Sequence, residues 1–291
     1  MILDRAFLRS FSATVDWLYS GLIRNAGRSS GSEIEHGLGG KFLYAGELDP
    51  AGCALVAAAN IAGAATLAAT ADVEAQKLAV RDGIIDFVVT TLPEALRILM
   101  NEIRKRETVA VCVAQSPEDV EREMVAIGVL PDLLPPGAVD ALRFEPFLRL
   151  GARQVDPVSA DENLTVLTWK VENAPALWLP KLDAIADDCL GSFPGSTTEA
   201  ARRWLERSPR FLGRLAQSSR LLRCETEVAR AFLNKVREAM ASRQLDVQVE
   251  ICLTGGGESH VHELSPPADD GTGDDLSLAN SQRIQSWPIT H

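Results

Sequence analysis

Residues 41–70 read KFLYAGELDPAGCALVAAANIAGAATLAAT, and this stretch decides the fold. A short apolar run at 42–45 ends at Gly46, an alanine-rich run covers 51–62, and a second apolar run covers 64–70. The outer runs have the length of buried strands, and the middle run has the length and composition of a helix. The order strand, helix, strand predicts a right-handed crossover between two parallel strands.

The same alternation continues on both sides of this stretch. Apolar spacing of three and four residues predicts an amphipathic helix over 4–26, and a glycine- and serine-rich loop follows. Proline and capping residues mark further helix starts, with Ser116 as a candidate N-cap. Helices are predicted over 74–80, 93–106 and 116–126, and strands over 84–90, 108–114 and 129–134, the last as an edge segment. This pattern predicts a mainly parallel sheet with helices on both faces.

The pattern changes near the Pro-Pro-Gly sequence at 135–137. Beyond it, strands are predicted over 164–171 and 247–253, and helices over 179–190, 197–207 and 225–242, which indicates a smaller C-terminal α/β region. The polar, proline-containing end is expected to be a flexible tail. The predicted organisation is 1–38 for the N-terminal helix and loop, 39–135 for the parallel domain, 136–265 for the α/β region and 266–291 for the tail.

Composition excludes several classes of protein. The 291 residues include 40 acidic and 29 basic side chains, for a net charge of -11, which argues against binding to nucleic acid or to an anionic membrane. Five scattered cysteines without a C-x-x-C pair argue against a disulfide framework and favour a reducing compartment, so a cytoplasmic location is expected. The apolar stretch 51–69 is interrupted by Asn60 and two glycines, and is interpreted as core rather than as a membrane span. Metabolic and interaction roles both remain open on these grounds.

Several short motifs between residues 39 and 134 occur in a recognisable order. They are Gly40-Lys41, Ala45-Gly46, Ala57-Ala58-Ala59, Ala71-Asp72, Asp82-Gly83-Ile84-Ile85-Asp86, Pro93-Glu94-Ala95-Leu96, Val111-Cys112-Val113-Ala114-Gln115 and Ile127-Gly128-Val129-Leu130-Pro131-Asp132. This order resembles the NAD-binding, Rossmann-like domain of urocanase. The resemblance implies an α/β fold with a mainly parallel Rossmann-like sheet, and it raises NAD as a candidate cofactor.

The resemblance implies cofactor-binding positions in this chain, and several of them are altered. The turn after the first strand reads GELDPAG at 46–52, where urocanase has a glycine-rich turn, so two acidic side chains face the expected phosphate and Pro50 lacks an N–H. Thr70 stands where the family has the acid that binds ribose, and Gln115 replaces an asparagine. The implied positions are Gly46, Glu47, Gly52, Thr70, Asp72, Thr90 and Gln115. These changes favour a Rossmann-like scaffold without NAD over retained dinucleotide binding.

The catalytic half of urocanase is not recognisable, so no catalytic residue is assigned. The leading hypothesis is a urocanase-like protein that binds a small ligand, with a nucleotide as one candidate, at the strand ends and without the urocanase reaction. A second resemblance, to sugar isomerase domains, would use hydroxyls at Thr90-Thr91 and Gln115-Ser116 for a phosphosugar. Capping and turn roles account for Thr91 and Ser116 at least as well. If the protein is an enzyme, the two resemblances imply an NAD-assisted hydro-lyase or a sugar-phosphate isomerase.

Two further clusters lie outside this domain. Glu258, His260 and His262 are two residues apart in sequence, so on a strand they would share one face as candidate metal ligands. The favoured alternative is a glycine-rich hairpin with solvated histidines on its returning strand.

The second cluster is an arginine-rich stretch, which fits a solvated helix face, an intramolecular partner for acidic side chains, or a subunit interface in a homodimer. Its members are Arg202, Arg203, Arg207, Arg210, Arg214, Arg220 and Arg223. A non-catalytic structural or interaction protein is therefore the third hypothesis.

Overall fold

A computed structural model of the chain describes residues 5–27, 37–137, 141–155, 164–193, 197–256 and 258–267. The glycine-rich loop predicted after the first helix and the predicted tail lie largely outside these residues. The chain divides into two compact units, one made of Met1–Ser159 with Arg210–Arg214 and the other made of Ala160–Pro209 with Leu215–His291. Each unit has its own sheet.

The first unit alternates strands and helices as the sequence predicts. Its elements are α1 (Arg5–Gly27), β1 (Phe42–Glu47), α2 (Pro50–Ala62), β2 (Ala65–Ala69), α3 (Val73–Arg81), β3 (Phe87–Val89), α4 (Leu92–Lys105), β4 (Val109–Val113), α5 (Pro117–Ile127), β5 (Leu133–Leu134), α6 (Ala141–Arg149) and β6 (Arg153–Gln154). All six strands are parallel, in the order β3-β4-β2-β1-β5-β6. The predicted mainly parallel α/β sheet is confirmed.

The prediction that 129–134 forms an edge segment is wrong. Strand β5 lies between β1 and β6, because Leu133 pairs with Leu43 on one side and with Arg153 on the other. Helix α6 and strand β6 lie between the Pro-Pro-Gly sequence and residue 164, where the sequence predicted no helix or strand. A strand of two residues has too few side chains to show a period, so its pairing becomes visible only in the sheet.

Helices cover both faces of this sheet. One face carries Tyr44, Leu67 and Val111, which form a continuous core with buried side chains of α4, α5 and α6. The alternate side chains of the strands face α2, which lies on β1, β2 and β4 and is itself covered by α1. The alanine-rich stretch is therefore core, as predicted. Among the described helices, none combines the length and the apolar character that crossing a membrane would require.

The second unit contains a four-stranded antiparallel sheet in the order β10-β9-β7-β8. Its elements are β7 (Leu164–Val171), α7 (Pro175–Ser192), α8 (Thr198–Leu212, whose last residues belong to the first unit), β8 (Ser219–Glu225), α9 (Thr226–Ala241), β9 (Val249–Gly255) and β10 (Glu258–Leu264). Helix α9 packs on this sheet, with the rings of Trp169 and Phe232 4.9 Å apart between centroids. The smaller α/β region is confirmed.

The arginine-rich stretch is not entirely helical. Arg220 and Arg223 lie on strand β8, which pairs along its whole length with β7 and which the sequence analysis did not predict. Arg220 Nε donates to Asp183 Oδ2 at 3.0 Å, and Arg202 Nε lies 3.0 Å from Asp187 Oδ1. Both carboxylates are on α7, so these two arginines serve as intramolecular partners of acidic side chains.

Candidate functional site

The carboxyl ends of the parallel strands meet at one edge of the first sheet. The chain moves in one direction across the sheet as it passes from β1 to β2 and from β2 to β3. It moves in the opposite direction as it passes from β3 to β4 and from β4 to β5. Because such crossovers are right-handed, α2 and α3 lie on one face and α4 and α5 on the other. The helices that follow the neighbouring strands β2 and β4 therefore lie on opposite faces of the sheet. Such a reversal opens a crevice, and open parallel sheets bind ligands there.

Three of the predicted site residues lie at this edge. Thr70 follows β2, Thr90 follows β3 and Gln115 follows β4. Gln115 Nε2 donates to the carbonyl oxygen of Thr90 at 2.8 Å, and the Thr70 N–H donates to Val113 O at 3.2 Å. These bonds connect the ends of three strands, and the first one also fixes the plane of the Gln115 amide.

Thr70 and Asp72 shape the start of α3. The side chain of Thr70 is buried and its Oγ1 accepts a hydrogen bond from the Asp72 N–H at 3.2 Å. The Asp72 carboxylate accepts from the N–H of Glu74 at 2.8 Å and of Ala75 at 3.4 Å, so it is the N-cap of α3. Asp72 thus lies at the edge where the resemblance implies a ribose contact, and its carboxylate already has a structural role.

The turn after β1 brings the start of α2 close to the sheet. Gly46 has a φ of +77° and follows an irregularity in the pairing of β1 with β2. A Cβ atom on Gly52 would lie 1.8 Å from the carbonyl oxygen of Glu47, which is closer than any carbon can approach. Only glycine fits at position 52, and the reason is contact within the chain itself.

A side chain of the protein occupies the N-terminus of α2. Asp49 Oδ1 accepts from the Gly52 N–H at 2.7 Å, and the carbonyl oxygen of Asp49 accepts from the Cys53 N–H at 2.8 Å. Pro50, the first helical residue, has no N–H to offer. A pyrophosphate placed here would meet the Asp49 carboxylate and would find these donors already used. The turn therefore does not fit the dinucleotide contact that a Rossmann-type turn supplies.

Two cysteines lie near this turn and neither is an activated thiol. Burial raises the pKa of Cys53 to about 11, and the charges of Asp49 and Asp82 add to the effect. Burial raises the pKa of Cys112 to about 12, against a hydrogen bond from the Thr70 backbone that lowers it. Both side chains are therefore thiols at neutral pH, and Cys112 is buried in the core.

The edge is rich in carboxylates. The four segments at the ends of β1 to β4, residues 47–50, 70–72, 90–91 and 114–116, contain no lysine, arginine or histidine. Together with the first turns of the helices that they enter, they contain Glu47, Asp49, Asp72, Glu74, Glu94, Glu118 and Asp119. Glu74, Asp119 and Glu118 are in ion pairs with Lys77, Arg122 and Arg143, at 2.7, 2.6 and 3.6 Å. The charges of Glu47, Asp49, Asp72 and Glu94 make this edge more favourable for neutral or cationic groups than for phosphate.

A buried polar network that sequence reasoning missed lies below this edge. The Tyr44 hydroxyl donates to Glu121 Oε1 at 2.8 Å, and Arg143 donates to both oxygens of Glu121 at 2.5 and 2.6 Å. Burial and the Glu121 charge raise the pKa of Tyr44 well above its ordinary value. Glu121 neutralises Arg143, which is in the first turn of α6. These residues are far apart in sequence, so no local pattern could reveal the network.

The hydroxyls proposed for a phosphosugar have different roles. Ser116 Oγ accepts from the Asp119 N–H at 3.2 Å and donates to Asp119 Oδ2 at 2.7 Å, so Ser116 is the N-cap of α5 as predicted. Thr91 is at the N-cap position of α4 without a side-chain capping bond. The Ser116 hydroxyl, which the resemblance to sugar isomerase domains would assign to a phosphosugar, therefore already makes hydrogen bonds within the chain.

The candidate metal ligands are on a hairpin of the second unit. Glu258, His260 and His262 share one face of β10, which returns antiparallel to β9 as the alternative interpretation predicts. His260 Nε2 lies 3.3 Å from Glu258 Oε2. In the part of the chain that the structure describes, no group of three or more histidine, cysteine or acidic side chains has an arrangement that could hold a metal ion. The geometry thus gives the predicted metal site no support.

Part of the first unit matches the model of a known protein family. The model of the urocanase Rossmann-like domain matches residues 21–136. The matched region runs from the end of α1 through the first five strands, and it contains the edge and the β1–α2 turn described above. The resemblance inferred from the motifs is confirmed: residues 21–136 of this chain are similar to the urocanase Rossmann-like domain.

Proposed function

We propose that the Rossmann-like domain binds a small neutral or cationic ligand at the carboxyl edge of its sheet, at the crevice between β2 and β4, without the urocanase reaction. The observation that carries the proposal is the Asp49 carboxylate at the N-terminus of α2, 2.7 Å from the Gly52 nitrogen. The domain keeps the ligand-binding topology of its fold, but the anion-binding position of that fold is filled by the chain.

The remaining polar groups at the edge support this ligand class. The urocanase family uses NAD, whose pyrophosphate carries negative charge. In this chain the helix start that would attract it is capped by Asp49, and Glu47 lies in the same turn. The groups suited to a neutral ligand are the Gln115 amide, held in place through Thr90, and the backbone at the ends of β2 and β4. The side-chain Oε1 of Gln115 is still able to accept a hydrogen bond.

Titration calorimetry with NAD+ tests the exclusion of the dinucleotide. The purified full chain is expected to give no saturable heat at NAD+ concentrations up to about a millimolar, a range in which even weak dinucleotide sites are detected. Saturable binding in the micromolar range would overturn the proposal, because it would show that the altered turn still accepts a pyrophosphate.

A thermal-shift panel tests the ligand class. Glucose, adenosine and agmatine are compared with inorganic phosphate, glucose 6-phosphate and AMP. A saturable rise in Tm is expected from at least one member of the first group and from none of the second. The rise should disappear in Gln115→Ala and persist in Gln244→Ala, an exposed glutamine of the second unit. Stabilisation by the phosphorylated compounds would favour the sugar-phosphate alternative, and no response to either group would favour a non-catalytic structural protein.

A further inference from the structure

Two glutamine side chains at the carboxyl edge of the first sheet bind the backbone in the same way. Gln76 Nε2, on α3, donates to Thr70 O at 2.8 Å, and Gln115 Nε2 donates to Thr90 O at 2.8 Å. Because a carbonyl oxygen only accepts hydrogen bonds, each amide must turn its nitrogen toward the backbone. The orientation of both amides is therefore fixed, although both residues are only half-buried.

The carbonyl groups that hold these amides lie at the same level of the sheet. Val89 of β3 and Ala69 of β2 both pair with Val113 of β4, from opposite sides. Thr90 and Thr70 each follow one residue later, so their carbonyl groups lie on either side of the end of β4. Adjacent strands are about 4.8 Å apart, so the two carbonyl groups are about 10 Å apart.

Each amide keeps groups that a ligand can use. Within the described residues neither side chain makes a second hydrogen bond, so Oε1 remains an acceptor and one N–H remains a donor in each amide. A glutamine amide pairs with a group that offers the complementary acceptor and donor, as it does with the edge of adenine. A molecule that lies across the end of β4 can therefore meet one amide at each of its ends.

Charge and span restrict this molecule further. The Asp49 carboxylate at the start of α2 disfavours a phosphate group. Free nucleobases are uncharged and flat, and their edges carry N–H donors beside acceptor atoms. A purine ring with a hydrogen bond at each end covers roughly 10 Å, whereas a pyrimidine ring is too short to reach both amides. A purine therefore fits the two amides better than a pyrimidine does.

We propose, on the basis of the neutral-ligand site proposed above, that the carboxyl edge binds an uncharged purine base between the amides of Gln76 and Gln115. Gln115 pairs with one edge of the ring and Gln76 with the opposite edge. The carbonyl groups of Thr90 and Thr70 hold the two amides in place for this contact.

Titration calorimetry of the full chain with adenine tests the proposal. Saturable binding is expected, and Gln76→Ala and Gln115→Ala should each weaken it about tenfold, the loss expected from one amide contact to a base edge. Gln244→Ala, an exposed glutamine of the second unit, is the matched control and should bind adenine as the wild-type chain does. Uracil should bind the wild-type chain more weakly than adenine.

A changed ligand tests the same contact without any variant. Dimethyladenine, in which two methyl groups replace the hydrogens of the exocyclic amine, should bind the wild-type chain about tenfold more weakly than adenine. Circular dichroism of the ligand-free variants checks that they fold. Equal binding of the two bases, or adenine binding that Gln76→Ala leaves unchanged, would overturn the proposal.

The thermal-shift panel separates failure of this proposal from failure of the proposed function. If adenine does not bind while glucose or agmatine raises the Tm through Gln115, the neutral or cationic site stands and the purine assignment is wrong. If neither adenine nor any neutral or cationic member of the panel binds, both are wrong.

Discussion

At Gly52, the absence of a side chain lets α2 begin directly against the end of β1. The resemblance to urocanase implied that glycines in this turn make room for a cofactor. In the structure, the atom that needs the room is the carbonyl oxygen of Glu47, and the nearby Asp49 carboxylate completes the turn. Gly52 thus has a structural role in this turn.

Gly52→Ala is expected to destabilise the protein by about 1 to 3 kcal/mol or more, because a Cβ 1.8 Å from a backbone oxygen forces α2 to move. Urea denaturation followed by circular dichroism measures the change. Ala51→Ser, an exposed position of the same turn, should change the stability by less than about 0.5 kcal/mol. Equal stability of Gly52→Ala and the wild-type chain would contradict the close approach of α2 to β1.

The same residue-scale reasoning applies to the other polar side chains of the edge. Asp72 and Ser116 were candidates for ligand contacts from their positions after β2 and before α5. Both cap helices in the structure, through bonds to Glu74 N and Asp119 N. Helix starts lie at the ligand-binding edge of every parallel sheet, so a capping residue and a ligand-binding residue have the same position and often the same residue type.

At the scale of elements, the β9–β10 hairpin contains a histidine whose protonation opposes folding. Burial lowers the pKa of His262, and the charges of Arg237 and His260 lower it further. The folded state therefore prefers neutral His262, whereas the unfolded chain binds a proton near the ordinary value of 6.5. The contribution of neutral His262 to the free energy of unfolding is therefore fully present above about pH 6.5. It is lost as the pH falls through the lower pKa that His262 has in the folded state.

His262→Gln is expected to weaken the acid dependence of stability. Thermal unfolding between pH 8 and pH 5 should show a smaller fall in Tm for the variant than for the wild-type chain, with the difference developing below about pH 6.5. If the two proteins lose stability in parallel over this range, the environment of His262 does not disfavour its charged form.

Most elements of the first unit could be predicted because they are long or strongly patterned. Helices α2, α4 and α5 have proline in the first turn, and Gly63 and Gly128 end α2 and α5 in the left-handed conformation. Strands β6 and β8 escaped prediction for different reasons. The first has two residues, and the second contains arginines that made it look like part of a basic helix.

At the scale of the whole molecule, two sheets have separate cores. Phe147 is fully buried in the core of the first unit, and Phe232 is fully buried against Trp169 in the second. Removal of either ring leaves a cavity in one core only. The two units are therefore expected to respond separately to such a change.

Phe232→Ala is expected to cost about 3 to 5 kcal/mol and to reduce hydrogen-exchange protection in β7, β8 and β9 while β1, β2 and β4 keep theirs. Phe147→Ala is the matched control and should have the reverse effect. Mass-spectrometric hydrogen exchange resolves the two sheets in one experiment. Simultaneous loss of protection in both sheets would show that the chain unfolds as one cooperative unit.

The resemblance to the urocanase Rossmann-like domain and the order of the elements from β1 to α5 were determined by the sequence alone, because hydrophobic period, helix caps and turn residues are properties of neighbouring positions. The position of β6 outside β5, the closing of the α2 start by Asp49, and the network of Tyr44, Glu121 and Arg143 were decided only by the tertiary structure. Each of these features depends on which groups come close together after folding. The network, for example, brings together residues 44, 121 and 143. Local sequence preferences act over a few residues and do not encode such distances.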